Sequence, residues 1–139
     1  MAASNADIGY GARFGIGATP TYVGEVVSIT PPGMTRDTVE VTHLESDGMW
    51  KEYIGALKDA GEASITINYV PAVAASDALL TAFNTDGAQS FTILAPSGTV
   101  KLTFSGIVTG YEIGDFVADD KMSATFTVKA TGAVTLAAV

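Results

Sequence analysis

Cysteine is absent from the sequence, and long apolar runs are absent too. The chain of 139 residues has no cysteine, which excludes disulfide bonds, thiolate nucleophiles and cysteine-ligated metals. No run reaches the roughly 18 apolar residues that a membrane-spanning helix needs. The first ten residues lack the basic and apolar regions of a secretory signal, so we expect no such signal.

Basic residues are scarce and scattered. The sequence has seven Lys and Arg residues and 15 Asp and Glu residues, which gives a formal net charge of −8. A protein that grips nucleic acid normally carries a clustered basic surface. The composition therefore argues against tight binding of DNA.

Histidine occurs once, at His43, and motifs for catalysis are missing. Glu45 and Asp47 are its nearest candidate partners for a metal, but one histidine with scattered carboxylates is a poor transition-metal signature. No arrangement of Ser, His and Asp follows a known motif. We predict a surface or interface histidine, no catalytic, cofactor-binding or metal site, and a protein that is not an enzyme.

Alternating apolar and polar residues dominate what is present. The length and the 47% hydrophobic content predict one folded domain over residues 1–139. Period-two alternation and turn residues predict about seven strands. These cover Tyr22–Thr30, Arg36–Thr42, Glu62–Val70, Gln89–Ala95, Val100–Ile107, Val108–Val117 and Lys121–Ala130.

One segment has helical spacing. Leu79, Leu80 and Phe83 form an apolar stripe within residues 76–84, which predicts a short amphipathic helix. Strands with a single helix predict a mainly β fold, a β-sandwich or barrel with one flanking α-helix. A long loop separates two of the early strands.

Two segments fit no regular pattern. The Gly-rich stretch 1–19 predicts a flexible N-terminal arm. The long loop, residues 43–60, carries aromatic and aliphatic residues whose spacing also suits a short helix, although two glycines weaken that interpretation. These residues are Trp50, Tyr53, Ile54 and Leu57. The loop either covers its own core or packs on another subunit, and the residues alone favour neither.

Several stretches resemble the tail tube proteins of long-tailed phages (siphoviruses) and related gene transfer agents. The resemblance covers most of the chain after Pro20. Its motifs lie at Val26–Gly33, Thr35–Leu44, Ser46–Glu62, Ile65–Pro71, Phe83–Asn84, Phe91–Gly98 and Phe104–Thr109.

This resemblance implies a structural subunit without cofactors. It implies rings of six copies that stack into a tube, about four strands per copy in a shared barrel, and a long loop that reaches the adjacent ring. The partners would be other copies and the tail terminator, tape measure and distal tail proteins. Assembly would take place in the host cytoplasm, and the product would be the virion tail. DNA would pass through without specific binding and without contact with a membrane.

We expect the polar strand faces to line the channel of that tube. If the strands on either side of the long loop pair with each other, their polar faces form one surface, to which the last strand adds. The predicted lining comprises Thr38, Glu40, Thr42, Glu62, Ser64, Thr66, Asn68, Ser123, Thr125 and Thr127. The alternative for this surface is an ordinary solvated exterior. The alternative for the whole protein is a monomeric Ig-like binding or adhesion module on a virion or cell surface.

Overall fold

The computed structural model describes residues 3–4, 8–70, 74–96 and 100–138. Within these ranges the chain forms nine strands, one α-helix and one 3-10 helix, Asp47–Met49. The strands are β1 Arg13–Ile16, β2 Thr21–Tyr22, β3 Val26–Thr30, β4 Thr35–Glu40, β5 Tyr53–Asp59, β6 Glu62–Asn68, β7 Gln89–Leu94, β8 Val100–Ile113 and β9 Ser123–Ala138. The helix α1 is Ala74–Asn84. The mainly β prediction with one helix is confirmed.

Seven strands form one antiparallel sheet in the order β2-β1-β7-β8-β9-β6-β3. The rings of Phe14 on β1 and Phe126 on β9 lie 6.0 Å apart between centroids. Three strand spacings separate these two strands, which is about 14 Å in a flat sheet. The sheet therefore folds back on itself, with these rings between its two halves. It does not close into a barrel.

The core follows from period-two alternation. Every second residue of β6 and of the first half of β9 is buried, and Ile65 lies beside Phe126 in the ladder. Phe91 stacks on Phe14 with ring centroids 5.8 Å apart, and Phe104 stacks on Phe91 at the same distance. Each such buried side chain contributes about 1.5–3 kcal/mol of burial free energy. These rings hold the two halves of the sheet together.

The helix packs on the sheet, and its buried apolar stripe is narrower than predicted. Leu79 and Ala82 are buried, whereas Leu80 and Phe83 remain nearly half exposed. Gln89 at the start of β7 donates its side-chain N–H to the carbonyl oxygen of Ala82 at 2.8 Å. In the described part of the chain, no helix is long and apolar enough to cross a membrane.

The structure corrects the extent of the predicted N-terminal arm. Within residues 1–19, β1 pairs with β7 and with β2, and Phe14 is fully buried. The backbone N–H of Val23 also donates to the carbonyl oxygen of Phe14 at 2.8 Å. A strand of four residues beside several glycines is too short to show alternation, so periodicity could not predict it.

Several strand boundaries also differ from the prediction. The predicted strands Val100–Ile107 and Val108–Val117 merge into one strand, β8, which ends at Ile113 and has an irregular register between Val108 and Gly110. The last strand runs on to Ala138, well beyond Ala130. The predicted first strand begins later, at Val26, because Tyr22 belongs to the separate strand β2.

Candidate assembly surfaces

The segment predicted as a long loop, residues 43–60, contains the turn and the second strand of a β-hairpin. Strand β5 pairs antiparallel with β4, with Glu40 beside Tyr53 and Val39 beside Ile54, and the pair forms its own two-stranded sheet. The short helix that the spacing of these aromatic and aliphatic residues also suited is therefore not formed. The backbone N–H of Val41 donates to the carbonyl oxygen of Glu52 at 2.8 Å and extends the hairpin toward its tip.

Exposed apolar side chains cover both faces of this hairpin. Leu57 is 87% exposed and Trp50 is 76% exposed, while Tyr53 and Ile54 are about half exposed. Ile54 and Val39 lie on one face, and Tyr53 lies on the other. The interpretation that this segment covers its own core is not what the structure shows. An isolated two-stranded hairpin is at best marginally stable in water, and exposed apolar side chains of this kind make the hairpin a candidate contact surface.

Polar side chains close the tip of the hairpin. Ser46 donates its hydroxyl hydrogen to Glu52 Oε2 at 2.6 Å and lies 2.7 Å from His43 Nδ1. The same hydroxyl oxygen accepts the backbone N–H of His43 at 3.0 Å. Since the only hydroxyl hydrogen goes to Glu52, Nδ1 of His43 must be the donor to Ser46. A serine nucleophile would instead donate to the histidine, so this network fits a structural clasp.

The clasp brings together residues that the sequence did not connect. His43, Ser46 and Glu52 span ten residues of an exposed turn, and no local motif links them. The backbone N–H of Glu52 donates to the Thr42 hydroxyl at 2.9 Å, which joins the two ends of the turn. Among the described residues, no group of three or more His, Asp or Glu side chains is placed to hold a metal ion.

At the base of the hairpin, Asp59 accepts a backbone hydrogen bond and forms an ion pair. The backbone N–H of Gly61 donates to Asp59 Oδ1 at 3.0 Å, and Lys129 Nζ lies 3.7 Å from Asp59 Oδ2. The hydrogen bond from Gly61, and then the positive charge of Lys129, lower the pKa of Asp59 from its ordinary value of 3.8. Gly61 has a φ of +74°, which a residue with a side chain rarely adopts.

A second surface is the polar face of β6 and β9. The ladder places Glu62 beside Lys129, Ser64 beside Thr127, Thr66 beside Thr125, and Asn68 beside Ser123. Their neighbours along each strand are buried, so these polar side chains lie on the opposite, partly exposed face, although Asn68 Oδ1 itself is buried. The structure thus brings seven of the predicted lining residues onto one face: Glu62, Ser64, Thr66, Asn68, Ser123, Thr125 and Thr127.

The other three predicted lining residues lie elsewhere. Strand β4 pairs with β5, and β6 pairs with β3 and β9, so the predicted pairing across the long segment is wrong. Thr38 and Glu40 are on the hairpin, and Thr42 follows at its turn. The continuous surface instead extends to Ser28 and Thr30 of β3, beside Thr66 and Ser64. Glu112 of β8 joins the same face opposite Thr125.

A folded-over sheet with a helix packed on it and a separate two-stranded hairpin defines a β-sandwich. Residues 17–137 match the lambda phage tail tube protein family. The chain therefore belongs to this family, and it is a structural subunit of the tail tube of a phage or phage-like particle.

Solved structures of similar fold are also tail and tube assemblies. A chain from the virion of a native gene transfer agent particle has a TM-score of 0.77 at 16% identity, covering 95% of this chain and 99% of that one. A chain from the sheath/tube terminator of an extracellular contractile injection system has a TM-score of 0.73 at 16% identity, covering 98% and 99%. No curated protein sequence matches significantly.

Proposed function

We propose that this subunit forms rings of six copies that stack into a tube, and that DNA passes through the channel of that tube. The observation that carries the proposal is the polar face shared by β3, β6, β9 and β8. Four adjacent strands from each of six copies make a barrel of about 24 strands, with a backbone diameter of roughly 50 Å. Such a barrel leaves room for a DNA duplex.

Sixfold symmetry has support from a similar structure. The tail of an empty gene transfer agent particle, refined with C6 symmetry, contains a chain with a TM-score of 0.76 and 16% identity to this one. The projecting hairpin then contacts the neighbouring ring, where Trp50, Tyr53, Ile54 and Leu57 become buried. Aromatic anchors of this kind supply most of the binding energy of protein interfaces.

The channel lining has the chemistry that passage of DNA requires. It consists mainly of small hydroxyl and amide side chains, with two carboxylates, Glu62 and Glu112, and one cation, Lys129, and the subunit as a whole carries −8. A lining rich in Lys and Arg would hold phosphates and slow the DNA. Contacts at the two ends of the tube fall to tail terminator, tape measure and distal tail proteins, and the subunit acts without catalysing a reaction.

Electron microscopy of the purified protein at increasing concentration tests this proposal. We expect rings with sixfold symmetry and tubes with an open channel. Uniform monomers at every concentration and salt condition would contradict it and would favour the Ig-like binding module. Tubes with another rotational symmetry would retain the tube and reject the ring of six.

A further inference from the structure

We propose a second, head-to-tail contact between copies, in which Phe116 of one copy enters a pocket at the hairpin base of the next. This inference rests on the proposed stacking of rings, and it names the residues that make one of the stacking contacts. The occupant of the pocket is a second copy of this chain. Charge complementarity and exposed apolar side chains on both partners carry the argument.

The pocket lies between the hairpin base and the second half of β9 and has a volume of about 360 Å³. Met34, Ala60 and Val134 provide its apolar lining, and Asp59 and the cations Arg36 and Lys58 are its charged lining residues. These two cations are directly opposite each other in the β4–β5 ladder. Like charges in that position repel, and neither has an ion pair among the described residues. The pocket therefore has an apolar lining with two unpaired cations, and the charge of its one carboxylate, Asp59, is offset by the ion pair with Lys129.

The complementary element is the loop that joins β8 to β9. Its Phe116 is 71% exposed and its Val117 is 55% exposed. Carboxylates surround these side chains in the sequence, from Asp115, Asp119 and Asp120. The loop has a defined shape, since the N–H of Asp120 donates to the carbonyl oxygen of Val117 at 3.3 Å. Its base is closed by the N–H of Gly114, which donates to the carbonyl oxygen of Ser123 at 2.8 Å.

The pocket and the loop lie at opposite ends of the β6–β9 ladder. That ladder runs from Glu62 beside Lys129 to Asn68 beside Ser123, a length of about 20 Å. The loop precedes Ser123, whereas the pocket lies beyond Lys129, at the end from which the hairpin projects. Two different patches at opposite ends make a heterologous contact, which repeats from copy to copy. The proposed contact therefore joins successive copies along the direction in which the hairpin projects.

The absence of cysteine makes this contact directly testable by cross-linking. Val117→Cys and Ala133→Cys, carried on separate chains and mixed, should be joined by a short bis-maleimide in high yield. Val117→Cys mixed with Thr81→Cys, which is exposed on α1, is the matched control. A yield for the first pair no higher than for the control would overturn the proposal.

Charge reversal identifies the electrostatic partners. Arg36→Glu with Lys58→Glu on the Ala133→Cys chain should lower the cross-linking yield about tenfold or more. Mixing that chain with a Val117→Cys chain that also carries Asp119→Lys and Asp120→Lys should restore the yield, because the charges match again. If the yield stays low although both chains keep the wild-type circular dichroism spectrum, the charge pairing is wrong.

The same mixtures separate this contact from the proposed function. Tubes that form without the Val117–Ala133 cross-link would retain the tube and reject the contact. Cross-linked chains that never give rings or tubes in electron micrographs would support the contact and reject the proposed assembly. Failure of both would reject both.

Discussion

At the scale of single residues, the base of the hairpin depends on groups that local sequence patterns do not reveal. The hydrogen bond from Gly61 to Asp59 is local, but the ion pair joins Asp59 to Lys129, far along the chain. Alternation in β9 predicted the polar face on which Lys129 lies. It could not predict the partner, because pairing between distant strands leaves no local signal.

The lowered pKa of Asp59 predicts how the hairpin base responds to acid. The folded protein holds the carboxylate more strongly than the unfolded chain, so this group stabilises the fold above its ordinary pKa of 3.8. The contribution is lost as pH falls below 3.8 and through the lower folded-state pKa. NMR titration of the Asp59 carboxyl carbon should show a midpoint below 3.8.

Substitution of Lys129 separates the two causes of that shift. Lys129→Met should raise the midpoint only partway to 3.8, because the hydrogen bond from Gly61 is the larger cause. A full return to 3.8 in Lys129→Met would assign the shift to the ion pair alone.

Gly61 is predicted to be intolerant of substitution for two reasons. Its φ is +74°, and a Cβ there would lie 2.6 Å from the carbonyl oxygen of Gly33. Gly61→Ala should cost about 1–2 kcal/mol for the backbone conformation plus the cost of displacing that carbonyl. Gly132→Ala is the matched control, since its φ is +81° with no atom within 4 Å.

Urea unfolding of the two variants measures that difference. We expect Gly61→Ala to lower the free energy of unfolding by at least about 1 kcal/mol more than Gly132→Ala does. Equal losses in the two variants would show that the carbonyl of Gly33 moves aside without cost.

At the scale of elements, sequence patterns identified the strands that have one buried and one exposed face. Strands β6 and β9 alternate cleanly because the core lies on only one side of them. Strand β5 has no buried face, so its apolar residues follow no period of two, and the spacing of Trp50, Tyr53, Ile54 and Leu57 imitates a helix. The pairing of β4 with β6 was also predicted wrongly, because alternation within a strand does not specify which strands lie beside it.

The exposed hairpin predicts a separation between folding and assembly. Trp50→Ser with Leu57→Ser should leave the melting temperature of the monomer nearly unchanged, since both side chains are already exposed. The same double variant should fail to form tubes, because it removes the apolar anchors of the interface. Light scattering during assembly and calorimetry of the monomer measure the two effects.

Leu80→Ser is the control for that experiment. Leu80 is 48% exposed on α1, so this change also removes an exposed apolar side chain, but away from the hairpin. Tubes from the Leu80→Ser variant are expected. Normal tubes from the hairpin double variant would contradict the role of the hairpin.

At the scale of the whole molecule, the folded-over sheet gives the subunit two distinct surfaces. In the alternating strands, every second side chain points into the phenylalanine core. The side chains between them form a polar face four strands wide. The resemblance of the sequence to tail tube proteins led to the correct family. It could not specify which polar residues share a face, since this depends on the pairing of β6 with β3 and β9 in place of β4.

This revised face makes the channel hypothesis sharper, because Glu40 and Glu62 now lie in different sheets. In particles whose tail is built from this chain, Glu62→Lys adds a cation to the channel wall in every copy. It should hold the phosphates of DNA and slow ejection, and added salt should relieve the defect. Glu40→Lys makes the same change of charge on the hairpin and should leave the ejection rate of assembled particles unchanged. Glu62→Gln separates loss of the negative charge from gain of a positive one, and its effect should be smaller. Ejection at the wild-type rate from Glu62→Lys particles of normal tail length would show that this face does not line the channel.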